Sequence, residues 1–178
     1  MLRGLLLLPL LVSLSVPVFA QGPRAEVSGG YSFVRDQEIE MNFQGWLASV
    51  TGNYNKWFGI EGEVGGNYNT TQVRGTNIDM SIHSFAGGPH FSSRMSNGLG
   101  VAPFGHVLVG AAHASASFFG LGGSTTHFLL EPGGGINYWF RNNLGIRLGG
   151  DYRRIFSDNG DTNQFRFHAG VVFGLGRF

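Results

Sequence analysis

The chain has 178 residues, of which 13% are charged, and its formal net charge is +1. That balance, with no visible basic patch, excludes the electrostatic footprint of a nucleic-acid-binding protein. The absence of cysteine excludes both a disulfide framework and a lipoprotein attachment point.

Thirty glycines, sixteen phenylalanines and a mean hydropathy of +0.02 are what a chain of alternating apolar and polar positions averages to. Residues Met1–Ala20 read as a secretory signal peptide. Arg3 supplies the basic start, Leu5–Val16 the apolar core, and Val18-Phe19-Ala20 the small residues before a cut ahead of Gln21. The apolar run is shorter than the roughly 20 residues a membrane-spanning helix needs. Residues 21–178 are then expected to form one exported domain.

The first segment, Ala25–Val34, sets Val27, Gly29, Tyr31 and Phe33 on one parity and Glu26, Ser28 and Ser32 on the other. A charged loop, Arg35–Asn42, leads into the clearest stretch of the chain, Phe43–Tyr68. There Trp46, Ala48, Val50, Gly52 and Tyr54 share a face. The alternation breaks at Asn55-Lys56-Trp57 and resumes with Phe58, Ile60, Gly62, Val64, Gly66 and Tyr68 opposite Glu61, Glu63 and Asn67. Period-two patterning on both sides of a polar turn predicts a β-hairpin.

Asn69–Asn77 is polar and reads as a loop. In Ile78–Phe91 the apolar residues change parity, from Ile78, Met80 and Ile82 to Phe85, Pro89 and Phe91. This predicts a β-bulge near His83-Ser84, and Pro89 argues against a regular paired strand. After a turn at Ser92–Asn97, Gly100–Ser117 is a long strand of unsettled parity, since Phe104, His106 and Leu108 compete with Val107 and Val109. Phe118–Ser124 reads as a loop. Thr125–Tyr138 points Phe128, Leu130, Ile136 and Tyr138 one way and Glu131 and Asn137 the other. A turn at Trp139–Asn143 precedes Leu144–Ile155, where Arg147, Asp151 and Arg153 alternate with apolar residues. Ser157–Asp161 is a loop, and Thr162–Phe173 sets Phe165, Phe167, Ala169, Val171 and Phe173 against Arg166 and His168.

The aromatics of the opening hairpin lie near the strand ends, with small residues between them. A soluble sandwich fills its middle with bulk. A membrane barrel instead shows an apolar band to lipid between two aromatic girdles and keeps polar side chains inside. The expected fold is therefore all-β, an eight-stranded antiparallel up-and-down transmembrane β-barrel. Its lumen is filled by side chains, its termini and short turns are periplasmic, and its longer loops face outward.

The segments GWLASVTGNYNKWFGIEGEVGG, HSFAGGPHFSSR, APFGHVLVGAA, EPGGGINYWF and FRFHAGVVFGLGRF resemble the outer-membrane β-barrel domain family of OmpA-type and opacity-type eight-stranded proteins. The resemblance implies an integral protein of a Gram-negative-type outer membrane, with roles in envelope integrity, surface adhesion or slow solute passage. It implies contact with outer-membrane lipids and with the barrel-insertion machinery. Phe178 resembles the terminal signal that this machinery reads, although counting back by twos gives Gly176, Gly174, Val172 and Gly170, out of step with Phe173 and Leu175. No cofactor motif is present, because the glycine runs lack the strand-then-helix context of a phosphate loop.

The candidate site is the lumen itself. Glu61, Glu63, Glu131, Arg147, Asp151, Arg153, Arg166 and His168 fall on its face, and unpaired buried charge is costly, so an ion-pair network is expected. The alternative is that several of them sit at the rims and are hydrated. The six histidines show no metal-ligand spacing, and a metal site is not expected. Catalysis would need a nucleophile beside a base. His113-Ala114-Ser115 places such a pair on one face, resembling the lipid A deacylase arrangement, but Ala116 and Ser117 follow where that family continues with Asn. The small residues there read more simply as strand filling, and no enzyme is expected. Two further alternatives are a surface adhesin acting on a ligand through Arg35–Asn42 and Asn69–Asn77, and a soluble exported barrel of the lipocalin sort.

Overall fold

The computed structural model describes residues 23–38, 40–73, 76–93, 100–118, 121–157 and 160–176. The expected signal peptide and Phe178 lie outside them. Eight strands follow in order: β1 (Ala25–Asp36), β2 (Asn42–Asn53), β3 (Phe58–Val73), β4 (Thr76–Ser92), β5 (Gly100–Phe118), β6 (Leu121–Arg141), β7 (Leu144–Phe156) and β8 (Thr162–Leu175). Each pairs antiparallel with the next, and β8 returns to β1 from Ala25↔Leu175 to Asp36↔Gln164. The barrel is closed and leaves no strand edge to template aggregation.

Period-two sequence fixes the two faces. On β2, Phe43, Leu47, Ser49 and Thr51 are buried inside, while Trp46 and Val50 are exposed outside. The outer face is apolar around the whole wall, with Ile60, Phe85, Val109, Leu148 and Phe167 all well exposed. Aromatic contacts gather at both ends of this band. Trp57, Phe58 and Phe91 pack together at the inner end, and Tyr152–Phe165 and Phe128–Phe156 pairs lie toward the outer one, with ring centroids 5.5 to 6.1 Å apart. So large an apolar surface is compatible with lipid and not with water.

The inner end carries the tight connections. The Asn55 carboxamide oxygen accepts hydrogen bonds from the amides of Trp57 (3.0 Å) and Phe58 (2.8 Å), which closes the β2–β3 turn. The β6–β7 turn is Asn142-Asn143, narrower than the Trp139–Asn143 expected. Trp139 instead stays in β6 and packs with Ala102 and Val172 as the floor of the lumen.

Three other expectations are corrected. Asn69–Asn77 and Phe118–Ser124 are not loops for most of their length, because β3 and β4 run to Val73 and from Thr76, and β5 and β6 to Phe118 and from Leu121. Beyond the membrane both faces of a hairpin are wet, so its strands read as polar and lose the alternation that marks them. No bulge occurs near His83-Ser84: the β3–β4 register is unbroken from Phe58↔Phe91 to Val73↔Thr76. The apolar residues change face because the outer part of the lumen is itself apolar, with Ile82 packed on Val34 and Phe43 beside Met41, Met80 and Ala114. The one register irregularity among the described ladders lies between Trp139 and Arg141. Pro89 faces outward where the β4–β5 ladder passes from Gly87↔Val109 directly to His90↔His106, so its missing N–H is tolerated. On β5, Phe104, His106 and Leu108 point inward and Val107 and Val109 outward, which settles the parity left open by sequence.

Val64 lies on the lipid face of β3 between Phe58 and Tyr68, near the middle of the apolar band. Val64→Arg is expected to cost about 2–4 kcal/mol in equilibrium unfolding from phospholipid vesicles, because an arginine there meets acyl chains.

Candidate functional site: a charge column through the lumen

Inward positions of β1, β3, β4, β5, β6, β7 and β8 bring titratable side chains to the axis. Nearest the floor is Arg147 of β7. Its guanidinium donates to Asn137 Oδ1 (2.9 Å), Glu61 Oε1 (3.2 Å) and Glu26 Oε2 (3.2 Å), and also to the hydroxyls of Ser28 and Ser49. It lies over the Phe104 ring, 4.7 Å from the centroid. The other oxygen of Glu61 contacts Nδ1 of both His90 (2.7 Å) and His106 (2.9 Å). His106 continues the chain, since its Nε2 lies 3.0 Å from Asp151 Oδ1.

Arg166 of β8 is the hub of the upper half. Its guanidinium meets Asp151 Oδ2 at 2.8 Å and grips Glu63 in a forked pair at 2.7 and 2.9 Å, and it also contacts Glu131. Arg153 donates from Nε to Glu131 Oε2 (3.0 Å) and from Nη1 to Gln164 Oε1 (3.1 Å). Gln164 in turn donates to Asp36 Oδ2 (2.9 Å). The column thus runs without a break from Glu26 to Asp36, across the lumen.

All eight residues singled out on the lumen face by sequence are buried inside the barrel. Seven of them make ion pairs at hydrogen-bond distance, and His168 stands farther off, 3.6 Å from Asp151. Sequence reasoning missed Glu26, Asp36, Gln164, His90 and His106 as members. The two histidines are directly opposite each other in the β4–β5 register, a relation that spacing along the chain does not show. Continuing the even parity of Ile82 through β4 places His90 inside.

It also missed Gly133. A Cβ there would lie 2.0 Å from Asp151 Oδ1 and 2.8 Å from His106 Nε2, so the glycine leaves the room in which these two side chains meet. His113 and Ser115 share the outward face of β5. His113 is exposed, with Nδ1 2.8 Å from the Thr126 hydroxyl, outside the column.

Above the charged middle, a cavity of about 540 Å³ opens outward, walled by Phe43, Ile82, Ala112 and Ile155 with Thr125 and His127 at its rim.

The family model of the outer membrane protein beta-barrel domain matches residues 6–173. The chain belongs to the outer membrane protein beta-barrel domain family. Outer-membrane β-barrel proteins of known structure share its fold. Neisserial surface protein A superposes with a TM-score of 0.68 at 14% identity, over 85% of this chain and 97% of that one. Ail, the attachment invasion locus protein of Yersinia pestis, superposes with a TM-score of 0.61 at 23% identity, over 85% and 99%, in a structure with the heparin analogue sucrose octasulfate. The N-terminal barrel domain of Pseudomonas aeruginosa OprF gives 0.56 at 16% identity, over 86% and 98%. No curated protein matches the chain. A protein of this family resides in the outer membrane of a Gram-negative bacterium.

Arg166→Met leaves three buried carboxylates without their shared cation. The expected loss is about 3–5 kcal/mol, read as a lower temperature or urea concentration at which the compact barrel converts to its slower-migrating unfolded form on electrophoresis. Gly133→Ala is expected to shift the same transition in the same direction, by about 1–3 kcal/mol, because its methyl displaces the Asp151 carboxylate.

Proposed function

We propose that the protein is a sealed, non-enzymatic barrel that strengthens the outer membrane and meets surface partners with the outward extensions of β3–β6. The observation that carries this reading is the unbroken column from Glu26 to Asp36, set on a floor of Trp139, Ala102 and Val172. Eight strands leave a bore only wide enough for side chains, and here paired charges fill it. Breaking any of these pairs to admit an ion strands a buried charge, so the closed arrangement is strongly favoured.

The extensions supply the surface reading. Strands β3–β6 have 16, 17, 19 and 21 residues, against 12 to 14 in the others, and the excess projects at the outer end. Among the described residues, the outer end carries Glu38, Glu40, Asp79 and Asp161 against Arg35 and Arg154, and Arg154 is already paired with Asp161 at 2.6 Å. This balance supports a neutral or cationic partner rather than a polyanion such as the heparin analogue in the Ail structure.

Reconstituted into planar bilayers, the wild-type protein is expected to give no steady conductance. Glu131→Gln, which loosens Arg153 and Arg166, is expected to give flickering openings. Steady conductance from the wild type would overturn the sealed reading.

A further inference from the structure

We infer that Glu61, His90 and His106 form a site for a borderline divalent transition ion of the zinc type, held inside the barrel where β3, β4 and β5 adjoin. Each offers one ligand atom, and the three lie within 4.8 Å of one another; Glu61 Oε2 already contacts Nδ1 of both histidines. All three side chains are buried. They come from three consecutive strands of one rigid ladder, with His90 and His106 in direct register and Glu61 two residues along β3 from the partner of His90.

The geometry needs side-chain adjustment in two senses: the Glu61 contacts open, and the histidine nitrogens, within 4.8 Å, draw together. Four-coordinate zinc binds imidazole nitrogen and carboxylate oxygen at about 2.0–2.2 Å, which sets neighbouring ligand atoms about 3.3 Å apart. The Glu61 contacts, now 2.7 and 2.9 Å, open by about half an ångström to admit the ion. Ring packing already aims the donors: His90 stacks on Phe104 with centroids 5.4 Å apart and 14° between planes, and His106 packs on the same ring at 5.9 Å.

The surroundings are those of a supported site. A metal-binding imidazole ordinarily gives its other nitrogen to a carboxylate, which fixes the ring and raises its basicity. Here His106 Nε2 is 3.0 Å from Asp151 Oδ1, and Asp151 is itself held by Arg166. Arg147 occupies Glu61 Oε1, leaving Oε2 for the ion.

Charge is compatible with an ion here. Glu61 and Asp151 flank His106 on either side, so a cation held at its Nδ1 lies beside carboxylate, taking the place of the imidazole proton. Two nitrogens and one oxygen select against calcium and magnesium, which take oxygen cages, and for ions such as Zn²⁺ or Co²⁺. Three protein ligands leave a fourth position for water.

The site is enclosed, so the ion is loaded as the barrel closes. The test refolds the untagged protein into detergent micelles with Zn²⁺ present, removes free metal, and measures zinc per chain. One zinc is expected in the wild type and in His83→Gln and His113→Gln, whose histidines face outward. His90→Gln is expected to lose it while still showing the heat-dependent electrophoretic shift of a folded barrel. Asp151→Asn, a positioning change, is expected to weaken binding about 10–100-fold. Refolding with Co²⁺ gives a readout that needs no variant: the wild type should show the intense visible absorption of four-coordinate cobalt. A wild type that retains no zinc, a folded His90→Gln that retains it fully, or the weak spectrum of six-coordinate cobalt would each overturn the site.

Discussion

The structure depends on one constraint: a wall bathed in acyl chains can carry no charge, so every charged side chain at membrane depth must turn inward and find a partner there. Arg166 shows how tightly this binds the sequence. One guanidinium serves Glu63, Glu131 and Asp151, from three other strands, and so ties β3, β6, β7 and β8 across the lumen. Backbone ladders close the wall, while these pairs determine what can pass through it. The small residues nearby follow from the same demand. Gly133 and Gly149 face side chains whose atoms lie within 2.3 Å of where a Cβ would be, so the crowded axis is bought with empty positions on the wall.

The lumen is layered along its axis. An apolar floor of Trp139, Ala102 and Val172 gives way to the charged column, and the column to an apolar outer part around Phe43 and Ile82 beneath an open cavity. A uniformly polar interior would resemble a channel. Here the charges pair with one another rather than with water, and the apolar layers on either side favour that pairing. Such an arrangement suits a barrel whose work is done by its wall and its outer rim.

Most of the architecture was legible because strand alternation is a local signal. Trp46, Val50, Ile60 and Val64 are told apart from Thr51, Glu61 and Glu63 by counting in twos, and the same count placed Arg147, Asp151, Arg153 and Arg166 inside. Reading failed where an assumption about chemistry replaced the count. The switch of apolar parity from Met80 and Ile82 to Phe85 and Phe91 suggests a bulge that the register does not contain, because the lumen at Ile82 is itself apolar. The outer ends of β3–β6 read as loops in sequence because polarity outside the membrane no longer alternates. The convergence of His90 with His106 depends on inter-strand register, which no single strand encodes. Gly133 carries no local signal, because what approaches it is set by Asp151 of the neighbouring strand.

Apolar side chains outside the wall meet lipid while those inside it do not. The chain's own tryptophans provide the test: Trp46 is 45% exposed on the outer face, and Trp139 is 2% exposed in the lumen floor. Versions retaining only one of these, with the other tryptophans changed to phenylalanine, would be placed in bilayers whose acyl chains carry bromine, a contact quencher of indole fluorescence. Strong quenching of Trp46 with Trp139 left bright is the result this account predicts. Equal quenching of the two, or a bright Trp46, would contradict it.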